Sequence, residues 1–173
     1  MHKAAHQEKP VNIYFWMIFV VIGVLLDFGT KYAAEHLLLY GESIPVFKGL
    51  SWTLVYNPGS AFSFLADQGG WQRWFFVAIT VVISLILFFW IKRTSSSEKL
   101  LRFGLAAVLV GAIGNLIDRV VLGHVVDFIH VYFNDWHFPI FNVADIFVTT
   151  GVAFILLSSL TEKRRQREDE SIR

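Results

Sequence analysis

Two aspartates in this chain sit among apolar neighbours: Asp127 in GHVVDF (123–128) and Asp145 in FNVAD (141–145). Two carboxylates brought close together do not both ionise easily, so one keeps a proton while the other accepts one. That is the requirement for activating water against an amide. Asp145 is expected to be the more easily ionised of the two, because it opens a helix whose N-terminus favours an anion. Further polar groups stand at similar boundaries. Asn57 lies in NPGSAF (57–62), Asn115 and Arg119 in GNLIDR (114–119), and Asn142 three residues before Asp145. Asp27 and Lys31 are four residues apart, the spacing of a helical ion pair. Each feature has a plainer role available. Asn142 and Asp145 have the pattern of an N-cap followed by an acid at the third helical position, and Asp27 with Lys31 needs no function beyond helix support. Asp127 has no such capping role.

The elements that must position these groups follow from hydropathy. Of the 173 residues 55% are hydrophobic and only 17% charged, with a mean hydropathy of +0.54. The apolar residues gather in four stretches, each near the roughly 20 residues that cross a bilayer. The fold class expected is therefore an all-α polytopic membrane protein, one domain over residues 1–173. Its spans fall at about 11–36, 71–92, 100–121 and 142–161, with outer connections at 37–70 and 122–141. Asp27 and Lys31 follow the first apolar stretch where a cleavable signal would carry small residues, so that stretch is read as a retained anchor. Ala107, Gly111, Asn115 and Arg119 form one row on the third span. The small members admit a neighbouring helix, and the same row delivers the amide and the guanidinium into the crevice.

Lysine and arginine orient the spans. Eleven of the fifteen fall before the first span (Lys3, Lys9), between the second and third (Lys92, Arg93, Lys99, Arg102) or after the fourth (Lys163, Arg164, Arg165, Arg167, Arg173). The positive-inside rule then puts both termini in the cytoplasm. The candidate residues all collect near the opposite, outer interface, where a small β element and a short loop or helix segment are expected. The run 51–57 alternates like a strand, with Trp52, Leu54 and Tyr56 assigned to one face. Absence of cysteine excludes disulfides, thiolate metal sites and cysteine nucleophiles.

Other chemistries stay open on the residues alone. His124, Asp127 and His130 offer a metal site, although no HExxH spacing supports it. Intramembrane acids also serve proton-coupled transporters, which place them nearer the bilayer midplane. A pure scaffold would use the polar groups for assembly alone.

Taken in order, DFGTK (27–31), NPGSAF, GNLIDR, GHVVDF and FNVAD resemble the motifs of bacterial lipoprotein signal peptidase, or signal peptidase II, over about residues 11–160. The resemblance implies an aspartic endopeptidase without metal or cofactor. It would cut diacylglyceryl-modified prolipoproteins just before the lipidated cysteine. Asp127 and Asp145 would be catalytic; Asn57, Gly59, Asn115, Arg119 and Asn142 would bind substrate; Asp27 and Lys31 would support them. The expected setting is the bacterial inner membrane, with the site facing the periplasm. The expected partners are the prolipoprotein and membrane lipid but no nucleic acid, and the protein is expected to work as a monomer. Ser60 departs from the alanine usual in the family, and Pro58 from its commoner alternatives.

Overall fold

The computed structural model describes residues 13–59 and 70–171, with side chains up to residue 162. Lys3, Lys9, Arg173, the 60–62 part of the NPGSAF motif and the side chains of Lys163, Arg164, Arg165 and Arg167 lie outside the described residues. The apolar stretches become four helices: α1 (Ile13–Leu37), α2 (Trp71–Arg93), α3 (Lys99–Val121) and α4 (Val143–Ser171). Each is long and apolar enough to cross a membrane, α4 over Val143–Glu162. The helices lie over the expected stretches, with α4 continuing ten residues past 161.

The four helices are not equivalent. Half of the most apolar window of α3 is buried, against 11–17% for the other three, so α3 is the centre of the bundle. It packs against α1, α2 and α4. Small residues make this possible. Ala106, Ala107 and Gly111 are buried, and a side chain at Gly111 would run into the backbone of Ala144. Outward-facing Leu, Ile, Val and Phe on α1, α2 and α4 are exposed, the pattern of helices that face lipid.

At one end of the bundle the connections form an antiparallel sheet of order β1-β2-β3-β4, with β1 at Ser43–Phe47, β2 at Leu50–Asn57, β3 at Val125–Phe133 and β4 at Trp136–His137. The expected strand at 51–57 is β2. The 122–141 connection, expected as a loop or short helix, instead folds as β3 and β4, turning at Asn134 with a positive φ that asparagine tolerates. Leu54, Val126, Phe128 and Ile129 pack against Ala34 and Leu38, fastening the sheet to the end of α1.

The pairing of β2 with β3 contains one irregularity that matters. Trp52 pairs with Ile129 but Val55 pairs with Asp127, so two residues of β2, Thr53 and Leu54, oppose Phe128 alone. A one-residue bulge reverses the face of every residue beyond it. The assignment of Trp52, Leu54 and Tyr56 to one face is therefore corrected: Tyr56 pairs with Val126, and Asn57 pairs with Val125 on the same side as Asp127.

Candidate active site

Lys31 organises the polar end of the bundle. Its Nζ lies 2.8 Å from Asp27 Oδ2, 2.9 Å from Asp118 Oδ2 and 3.0 Å from Asn115 Oδ1. An ammonium has three protons and no acceptor, so Lys31 is saturated and Asn115 must turn its oxygen towards it. The two acids reach further. Asp27 Oδ1 accepts from Ala144 N of α4 (2.8 Å), and Asp118 Oδ2 accepts from Val126 N of β3 (3.1 Å). Gly114 leaves room for the Asp27 carboxylate, which any side chain there would displace. One cluster thus ties α1 to α3, α4 and the sheet.

The orientation of Asn115 then propagates. Its Nδ2 donates to Asp145 Oδ1 at 2.9 Å. Asn142, fully buried, donates from Nδ2 to Asp127 Oδ1 (2.7 Å) and towards Asn115 Oδ1 (3.1 Å). Its own Oδ1 accepts from Asp145 N (3.0 Å), while Asp145 Oδ2 accepts from Asn142 N (3.2 Å). This is the reciprocal cap expected at the start of α4. Asn57, turned inward by the bulge, donates to Asp127 Oδ2 at 3.1 Å and accepts from Gly59 N at 3.1 Å. Arg119 donates to Gly59 O (2.9 Å) and Asn115 O (3.3 Å), and its buried Nε has no partner among the described residues.

Asp127 and Asp145 both line a cavity of about 770 Å³, walled by Asn57, Asn115, Arg119 and the apolar stretch from Phe138 to Phe141. Burial pushes the Asp127 carboxyl up from 3.8 to about 7, and the negative charge of Asp145 adds to the effect; hydrogen bonds from Asn57 and Asn142 and the charge of Lys31 oppose it. The pair therefore has one acid whose affinity for its proton is raised towards neutrality beside a second carboxyl group tied to a helix N-terminus. Such a couple can give and take a proton across one bond.

All nine residues of the candidate site fall within this network: Asn57, Asn115, Arg119, Asp127 and Asp145 line the cavity, Gly59 and the buried Asn142 are hydrogen-bonded to them, and Asp27 and Lys31 lie behind Asn115. Asp118, within GNLIDR, also belongs to the network although its motif position assigns it no role. Lys31 needs three acceptors and Asp27 supplies one, a signal that could have pointed to another acid. The histidines separate. His124 lies against Tyr56, with ring centres 4.3 Å apart, while His130 Nε2 meets His137 Nδ1 at 3.0 Å. Burial lowers the pKa of both His124 and His130. Among the described residues no three His, Asp or Glu side chains are grouped to hold a metal ion.

Residues 18–161 match the family model for Signal peptidase (SPase) II. A lipoprotein signal peptidase of Acinetobacter baumannii is 42% identical over 170 residues, covering 98% of this chain and 96% of its own. One from Pseudomonas syringae pv. tomato is 49% identical over 151 residues, covering 86% and 87%. A bacterial membrane enzyme solved by the in meso method at 2.3 Å superposes with a TM-score of 0.81 at 32% identity, over 91% of this chain and 94% of that one. Fold and relatives together define a multi-pass membrane protease that processes lipoproteins. The chain belongs to the signal peptidase II family.

Proposed function

We propose that this protein removes signal peptides from diacylglyceryl-modified prolipoproteins by aspartic chemistry, cutting before the lipidated cysteine. The observation that carries the mechanism is that Asp127 and Asp145 open onto one cavity while amides fix the acceptor oxygens of both. A water held between them gives a proton to the Asp145 carboxylate as its oxygen attacks the scissile carbonyl. Asp127, in its protonated form, donates to the carbonyl oxygen. Collapse of the tetrahedral intermediate returns one hydroxyl proton to Asp127 and expels the cysteine amine, which takes up the proton from Asp145; the signal peptide is left with a new carboxylic acid that ionises in water. Asn57, Gly59, Asn115, Arg119 and Asn142 hold the substrate backbone and the acids. Asp27 and Lys31 hold those residues in turn.

The setting of the reaction follows from the spans. With both termini in the cytoplasm, the sheet and cavity face the periplasm from the inner membrane. A bond at the outer end of a signal helix arrives there, while the lipid on the adjacent cysteine stays in the bilayer. One chain, in one domain, supplies both acids, so a monomer suffices. The test is cleavage of a purified diacylglyceryl prolipoprotein by wild type, Asp127→Asn and Asp145→Asn in detergent, with and without EDTA. Cleavage by wild type in both conditions and by neither folded variant supports the reading. Survival in a variant removes that residue from the pair, and abolition by EDTA overturns the metal-free mechanism.

A further inference from the structure

Helix α2 reaches the candidate site through a residue outside the set described above. Arg73, in its first turn, donates from Nε to Arg119 O and from Nη2 to Val120 O, both at 2.7 Å. These carbonyls lie in the last turn of α3, where a helix runs out of its own donors. Leu122 N and Gly123 N turn back to Asp118 O instead. Reaching two successive carbonyls takes the planar fork of a guanidinium, which lysine lacks. Gly123 makes room for it: φ there is +86°, and a side chain would stand 3.3 Å from Arg73 Nη1. Three residues along α2, the Phe76 ring lies 5.3 Å from the Arg119 guanidinium. So α2 grips Arg119 by both main chain and side chain.

From Arg119 the connection runs on. Its guanidinium holds Gly59 O, Gly59 N holds Asn57 Oδ1, and Asn57 Nδ2 holds Asp127 Oδ2. We propose that Arg73 is a positioning residue of the site: it fixes the end of α3 so that Arg119 and, through Gly59, Asn57 are held against Asp127. A residue that merely capped α3 would affect stability alone. The kinetic part of the proposal rests on the function proposed above; the structural part does not.

The experiment compares Arg73→Gln, Arg73→Lys, Arg119→Lys and the Arg73→Gln/Arg119→Lys double variant, with Arg93→Gln as a control for charge on the same helix. Cleavage kinetics and melting are measured alongside the NMR signal of the Arg119 Nε–H in arginine-labelled protein. Arg73→Gln is expected to raise KM about five- to tenfold with kcat within about twofold, and to move the Arg119 signal. Arg73→Lys falls between it and wild type, and decides the matter should Arg73→Gln fail to fold. The double variant is expected to be no worse than Arg119→Lys alone. Losses that multiply, or a lowered melting temperature with unchanged KM and an unmoved signal, overturn the proposal. If wild type cleaves nothing, the proposed function falls, and the Arg119 signal alone decides the positioning role.

Discussion

Two groups of acids lie side by side at this end of the bundle, and they are handled in opposite ways. Asp27 and Asp118 share Lys31, which spends all its protons on them and Asn115; all three ionic residues are buried. Among the described residues Asp127 and Asp145 have no ion pair, only amide partners, and both face a cavity. The first group is neutralised and closed, so it fixes geometry. The second is hydrogen-bonded by amides and open to the cavity, so the Asp127 proton stays available. The contrast teaches that a carboxylate at a membrane boundary is not reactive by its position. What separates scaffold from chemistry is whether a cation has already claimed it.

The contrast can be broken most severely at the open pair. Asp127→Asn or Asp145→Asn is expected to lower kcat about a thousandfold or more while the protein still melts cooperatively. Residual activity near wild type in either variant would dissolve the distinction. The closed group should fail differently. Lys31→Met strands two buried carboxylates and is expected to cost roughly 3–5 kcal/mol of stability. The triple variant Asp27→Asn/Lys31→Met/Asp118→Asn, which leaves no charge behind, should recover much of the lost melting temperature. If it melts no higher than Lys31→Met alone, unpaired charge is not the cause.

A pH series sharpens the comparison further. Asp127 prefers its proton in the folded state, so its contribution to stability is full below its ordinary value of 3.8 and is lost as pH rises through about 7. The same proton is needed for donation. Cleavage is therefore expected to decline above about pH 7, and Asp127→Asn is expected to gain melting temperature over wild type between pH 5 and pH 8. A gap that stays constant across that range would mean that Asp127 does not hold a proton in the folded protein. The smallest effects belong to the histidines. His124→Phe and His130→Gln should change kcat/KM by less than about twofold, in line with the weak effect of replacing side chains that make no buried hydrogen bond to the acids. A larger loss in either would bring these rings into the chemistry.

Much of this arrangement was readable before any coordinates. Long apolar runs announce helices because a bilayer-sized hydrophobic segment has few other ways to satisfy its backbone. The cap at Asn142 and Asp145 is local, since it joins residues three apart. The pair Asp27 and Lys31 is local too. Other features escaped because their cause lies far away in the chain. The role of Asp118 depends on a lysine from another helix and an amide from a strand. The strands of 122–141 form because β2 offers an edge to pair with, and nothing in their own alternation announces it. The grip of Arg73 on Arg119 spans 46 residues and ends on backbone carbonyls, which carry no side-chain signal.

What the sequence by itself determined is the set of helices, the end of the bundle at which polar residues gather, and which of those residues are able to do acid–base chemistry. Composition and short-range spacing suffice for that, because they reflect solvent preference and helical periodicity. Only the tertiary structure decided which acids are neutralised, that Asn57 faces Asp127, and that both candidate catalytic aspartates open onto one cavity. Those outcomes depend on the partner of each charge and on a one-residue bulge between Trp52 and Val55. A bulge reverses a strand's faces without altering its alternation of residue types, so register became visible only when β2 met β3.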